Sequence, residues 1–201
     1  MSRWPTCCWR LCHTVDENWG GGTSKVGAAE AKGLDMSHEP QIQVRAAQHY
    51  AAIPVTVAMD GLSAAVDNGL PELFVWLAGQ GIAPSGPPFI RYLVIDMAGE
   101  MLIELGVPVA APVTASGRVQ PGSLPEGKYL VLRHTGRYDG LVASNAALQQ
   151  WAREHQVELD TWDTAEGSAW RSRAEHYLTN PAAEPDPAKW EVDVAYLTTQ
   201  A

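Results

Sequence analysis

Lys128-Tyr129-Leu130-Val131-Leu132-Arg133-His134-Thr135-Gly136-Arg137-Tyr138-Asp139-Gly140-Leu141 changes its local structure halfway along. Residues 128–134 are rich in branched and aromatic side chains and read as a strand. Residues 135–140 hold two glycines and an aspartate and read as a turn that opens a helix. Leu141, Ala147, Leu148, Trp151 and Ala152 then share that helix's inner side. Residues 157–167 read as a loop, and residues 170–178 and 190–197 as two further strands. Pro181, Pro185 and Pro187 make the segment between those strands a loop. The order is strand, helix, strand, strand.

The same order precedes it. Ile42 and Val44 alternate with Gln41, Gln43 and Arg45, and Ile53, Val55 and Val57 alternate likewise. Pro54 suggests an edge or a bulge in that second stretch. Asp60 is placed to cap a helix beginning near Leu62. Gly69 and Pro71 are expected to interrupt it, with Pro71 in the first turn of a fresh stretch over residues 71–80. Residues 89–95 and 101–109 read as strands joined by a hairpin-sized link. The chain is therefore expected to be α+β, with two pseudo-symmetric strand–helix–strand–strand halves at about residues 40–112 and 118–199. Each half is an antiparallel sheet with a helix on one face, and a ligand groove lies between the halves.

The chain has 201 residues, 46 % of them hydrophobic, enough for a core. Fourteen Lys and Arg against 23 Asp and Glu give a net charge of −9, which argues against direct nucleic-acid binding. No apolar run is long enough to span a membrane, and the composition suits a cytoplasmic protein. In residues 1–35 four basic side chains balance four acidic ones, so the whole net charge lies after Asp35. Neither strand nor helix periodicity runs through that segment, and residues 1–37 are expected to be a disordered tail ahead of a domain over residues 38–201. Met36 is a candidate natural start. Cys7, Cys8 and Cys12, the only cysteines, lie there with His13, but without the second ligand pair of a usual zinc site. No metal or cofactor is expected. Phosphate-binding glycine motifs and a nucleophile elbow are absent from the sequence.

One acid among aromatics remains. Period 2 puts Arg171, Arg173, Glu175 and Tyr177 on one face of their strand, and Trp170, Ser172, Ala174, His176 and Leu178 on the other. That first face either points to water, with Arg173 and Glu175 as solvated charges, or lines the groove. In the groove Glu175 would attract a cation or hydrogen-bond a polar ligand, and as a base it would take a proton from water. Tyr92, Trp76, Tyr138, Trp151, Trp170 and Tyr177 are the candidates for its aromatic walls. Trp76 and Trp151 serve equally well to pack a helix on its sheet.

Three ordered segments carry a family resemblance. Gly86-Pro87-Pro88-Phe89-Ile90-Arg91-Tyr92, Gly136-Arg137-Tyr138-Asp139-Gly140-Leu141 and Glu175-His176-Tyr177-Leu178-Thr179-Asn180-Pro181 resemble segments of GyrI-like small-molecule-binding domains, also found as effector domains of AraC- and MerR-type multidrug regulators. Asn180 stands where the family usually has Asp. The resemblance implies a pseudo-twofold domain whose groove binds lipophilic, often cationic or planar compounds, with Glu175 at its centre and Tyr92 in its lining. Residues 1–35 do not read as a helix-turn-helix, so a stand-alone form is expected.

Three functions follow from the resemblance. The first is capture of lipophilic, aromatic or cationic small molecules. The second is hydrolysis of cyclopropane-containing alkylating compounds, with Glu175 as catalytic general base. The third is a protein partner, DNA gyrase, which some family members inhibit.

Overall fold

The computed structural model describes residues 39–199; the expected tail with Cys7, Cys8, Cys12, His13 and Met36 lies outside them. Strand β1 (Gln41–Arg45) is followed by β2 (Gln48–Ala58), helix α1 (Leu62–Gly79), β3 (Phe89–Ile95) and β4 (Glu100–Pro108). Then come β5 (Gln120–Leu124), β6 (Gly127–Thr135), helix α2 (Leu141–Glu154), β7 (Thr161–Thr164), β8 (Gly167–Tyr177) and β9 (Glu191–Leu197). Among the described residues these strands form one antiparallel sheet in the order β1-β6-β9-β8-β3-β4-β2-β5, with β7 paired to β8.

The order shows the duplication. β6-β9-β8 of the second half meets β3-β4-β2 of the first, so β8 and β3 form the seam. The strand preceding each half crosses to the other: β1 pairs with β6, and β5 pairs with β2. Both helices cover one face of the sheet, α1 on β2 and β4, α2 on β6. Val66 and Leu70 of α1 and Leu141 and Leu148 of α2 share a core with Ile103 and Leu105 of β4 and Val194 of β9. A second apolar cluster holds Leu73 and Leu77 of α1 against Ala51 and Ile53 of β2 and Val107 of β4. Full burial of such side chains contributes about 1.5–3 kcal/mol each.

Four elements differ from the sequence reading. α1 is one continuous helix with Pro71 inside it. Val66, Leu70, Leu73 and Leu77, all buried on one stripe, carry it through; their burial exceeds the ~3 kcal/mol cost of an interior proline. Asp60 does not cap it: the N-cap is Gly61, with no side-chain cap bond. β5, Gln120-Pro121-Gly122-Ser123-Leu124, has no assignment in the sequence reading, yet it is an edge strand, where a missing N–H is tolerated. Residues 161–164 of the expected loop form β7, a hairpin onto β8. Pro54 lies beyond the reach of β5, whose pairing with β2 covers only Gln48 to Ala52, so it occupies an edge position as its chemistry suggests.

Gly69 explains how closely α1 lies on the sheet. A Cβ there would sit 2.3 Å from Leu105 Cδ1, and Leu105 is fully buried. Gly69→Ala gains up to ~1 kcal/mol of helix propensity but overpacks the contact at about 1–3 kcal/mol. Urea denaturation should show net destabilisation, and Leu105→Ala in the same chain should make the pair less costly than the sum of the single changes.

The opposite face of β8 carries Ala174 and His176. The His176 ring lies 5.3 Å from that of Phe89, with Arg45 Nη1 3.4 Å from its Nε2. Burial, reinforced by the Arg45 charge, lowers its pKa from 6.5 to about 4, while Asp193 pulls the other way. The unfolded chain therefore binds the proton first as pH falls, and stability is lost between about pH 6.5 and 4, by roughly 3 kcal/mol at most. His176→Gln, which keeps an acceptor near Arg45, should flatten that part of the stability–pH curve.

Candidate functional site

The two helices stand apart over the β3–β8 seam and leave a cavity of about 720 Å³, within the roughly 300–1,000 Å³ usual for small-molecule sites. Its floor is Ile90, Tyr92 and Ile95 of β3, Met101 of β4, and Trp170, Arg173, Glu175 and Tyr177 of β8. Val66 of α1 and Leu141 and Asn145 of α2 form its sides. Met59, Met97 and Val142 also line it and are well exposed, making an apolar rim. The acids Asp67 and Asp139 line it too, and both are exposed to water.

Glu175 is only 5 % exposed. Its Oε1 accepts from Asn145 Nδ2 at 2.8 Å. Its Oε2 accepts from the hydroxyls of Tyr92 and Tyr177, each at 3.1 Å. Strand geometry makes this possible. Tyr177 is two residues along the same face, and Tyr92 is the diagonal neighbour of Glu175, whose direct cross-strand partner is Ile90. Burial, and next the Glu175 charge, push both phenols well above the ordinary tyrosine pKa, so they remain protonated donors. Three donors fill three of the roughly four acceptor positions of a carboxylate.

Asn145 joins the acid to the rest of the floor. Its Oδ1 accepts from Tyr196 Oη at 2.5 Å and from Arg173 Nη2 at 3.1 Å. Its Nδ2 also donates to the Leu141 carbonyl at 2.8 Å. The Arg173 guanidinium carbon lies 5.3, 5.0 and 5.1 Å from the ring centroids of Tyr92, Trp170 and Tyr196.

Of the residues singled out from sequence, Glu175, Tyr92, Tyr177, Tyr138 and Trp170 line the cavity, whereas Trp76 and Trp151 do not. Trp76, on α1, packs against the second apolar cluster. Trp151 packs on the main core and stacks on His155 at 3.8 Å. Tyr138 meets Tyr177 edge-on at 5.2 Å and Trp190 at 4.6 Å, and burial pushes its hydroxyl up to about 12. Strict alternation would set Trp170 on the face opposite Glu175. The β3–β8 register shifts between Tyr92 and Val94, and across that irregularity Trp170 and Ser168 turn to the same side as Arg173 and Glu175.

Sequence reasoning missed Asn145 and Tyr196. Asn145 carried a signal: Leu141, Asn145, Leu148 and Ala152 form one buried stripe of α2, and a polar residue in such a stripe needs partners. Tyr196 carried none beyond its place in an alternating strand.

Among the described residues no helix is long and apolar enough to cross a membrane, and no group of three metal-ligating side chains comes together.

A family model of the GyrI-like small-molecule-binding domain matches residues 38–195, and the chain belongs to that family. No curated protein matches it by sequence. EcmrR, in its cryo-EM complex with DNA, is similar at 16 % identity and a TM-score of 0.64, over 81 % of this chain; the chain spans 58 % of EcmrR's length. A hydrolase from Listeria innocua is similar at 16 % identity and a TM-score of 0.56, over 80 % of this chain and 92 % of its own. SAV2435, solved bound to tetraphenylphosphonium, is similar at 12 % identity and a TM-score of 0.54, over 81 % and 95 %. At these identities the likeness shows the shared fold.

Asn145→Ala should expose the dependence of the floor on one amide. It removes a donor from Glu175 and the side-chain acceptor of Arg173 and Tyr196, a loss of roughly 1–3 kcal/mol for each buried group left unsatisfied. Chemical denaturation should report a drop of that size or larger with secondary structure retained.

Proposed function

We propose that this chain captures lipophilic aromatic compounds in the cavity over the β3–β8 seam, with Glu175 as the polar anchor. The observation that carries the reading is an apolar, ring-lined cavity of about 720 Å³ with a buried, hydrogen-bonded carboxylate in its floor. Rings from Tyr92, Trp170 and Tyr177 offer stacking faces. The acceptor position left on Glu175 receives one N–H or O–H of the ligand. The tetraphenylphosphonium bound by SAV2435, a permanent cation that carries four aromatic rings, supports the aromatic part of this ligand class.

The test is a thermal-shift screen of the full chain against flat polycyclic compounds, because a ligand of the folded state raises its apparent stability. Glu175→Gln should weaken ligands that bring an N–H or O–H by about tenfold or more, since a hydrogen bond to a charged group is worth about 1.5–3 kcal/mol. It should leave donor-free ligands nearly unchanged. A screen in which no polycyclic compound moves the melting temperature would sink the reading.

A second reading is hydrolysis of a strained, cyclopropane-containing compound. The same free acceptor position on Glu175 favours it, because a water held there would face a ligand lying on the floor. General base assistance contributes typically ~10²–10⁴-fold, enough where ring strain already lowers the barrier. Mass spectrometry of such a compound incubated with the chain should show the water-added, ring-opened product, and Glu175→Gln should bind without converting. Recovery of unchanged compound from the unsubstituted chain removes this reading and leaves the first standing.

A further inference from the structure

We propose that Arg173 acts as a resident cation that sets the charge preference of the cavity, directing it to neutral planar ligands and against permanent cations. The proposal rests on the binding role of the cavity argued above. It starts from what Arg173 touches. Its guanidinium lies 5.0–5.3 Å from the centroids of Tyr92, Trp170 and Tyr196, within the ~6 Å at which a cation is held by a ring face. Tyr92 and Trp170 line the cavity, so theirs are the ring faces that a cationic guest would use.

The charge balance of the floor points the same way. Among the described residues Arg173 makes no ion pair. Its side-chain hydrogen bond goes to the neutral amide of Asn145, and its Nε is buried without an acceptor. Arg173 therefore keeps its full charge and stands against that of Glu175, with Asn145 between them. A guest cation on this floor gains from Glu175 and loses to Arg173, whereas a neutral planar guest loses to neither. Asp67 and Asp139 add negative charge at the water-exposed edge, where screening makes it weak.

Two probes of one shape separate charge from size: phenanthridine, neutral at neutral pH, and its permanently charged N-methyl cation. Binding to the full chain is followed by quenching of tryptophan fluorescence, Trp170 being in the wall. The unsubstituted chain should bind phenanthridine at least about tenfold more tightly than the cation. Arg173→Met keeps length and removes the charge. It should tighten the cation by about tenfold or more, as loss of a like charge at this range implies, and change phenanthridine by less than about threefold. Arg173→Lys, which keeps the charge, should retain the original order. Equal or tighter binding of the cation by the unsubstituted chain overturns the proposal even if Arg173→Met fails to fold. So does an unchanged ratio in a folded Arg173→Met. In both cases the cavity's binding role survives. If neither probe binds any folded form, that role falls and the proposal with it.

Discussion

Glu175 lies at the seam of two half-sheets, and a carboxylate withdrawn from water there has to be solvated by the protein itself. An isolated buried charge costs several kcal/mol; here three donors meet it, two phenols and one amide. Each donor comes from a different element or register position: Tyr92 from β3, Tyr177 from two residues along β8, Asn145 from α2. The acid thus ties together the seam strands and one helix. Removing any of the three leaves the buried carboxylate one donor short, so the full set is present only when the halves are correctly docked.

The same seam makes the cavity. Two helices lie on one face of the sheet, each on the outer strands of its own half, and neither covers β3 and β8 completely. What remains between them is walled by the residues that those strands turn inward. The register shift opposite Tyr92 decides how many rings are included. It turns Trp170 into the cavity, and with Tyr92 and Tyr196 that ring encloses Arg173. A regular ladder would have left Arg173 with two of its three aromatic neighbours.

Much of the fold was readable from periodicity. The repeated strand–helix–strand–strand order, both helices and most strands follow from apolar spacing that local physics enforces. The failures are specific. Gly69 and Pro71 look like a break because each disfavours a helix locally, yet the stripe of Val66, Leu70, Leu73 and Leu77 outweighs them once a sheet is there to bury it. β5 and β7 are short and polar or rich in Pro and Gly, and are strands only because a neighbour supplies hydrogen bonds. Within the site, period 2 correctly grouped Arg173, Glu175 and Tyr177 on a single face. It could not say whether that face meets water, nor that Trp76 and Trp151 sit elsewhere.

Sequence alone therefore determined the class of fold, the duplication and the motifs of the family resemblance, and singled out Glu175 as a candidate, because these depend on residue types and spacing along the chain. Tertiary structure decided which groups surround that carboxylate. Asn145 is thirty positions from Glu175 in sequence and 2.8 Å from it in space, and Arg173 gains its ring cage from three separate strands. Contacts of that kind arise from strand register and helix docking, which are settled by packing of the whole core, and no local pattern in the chain encodes them.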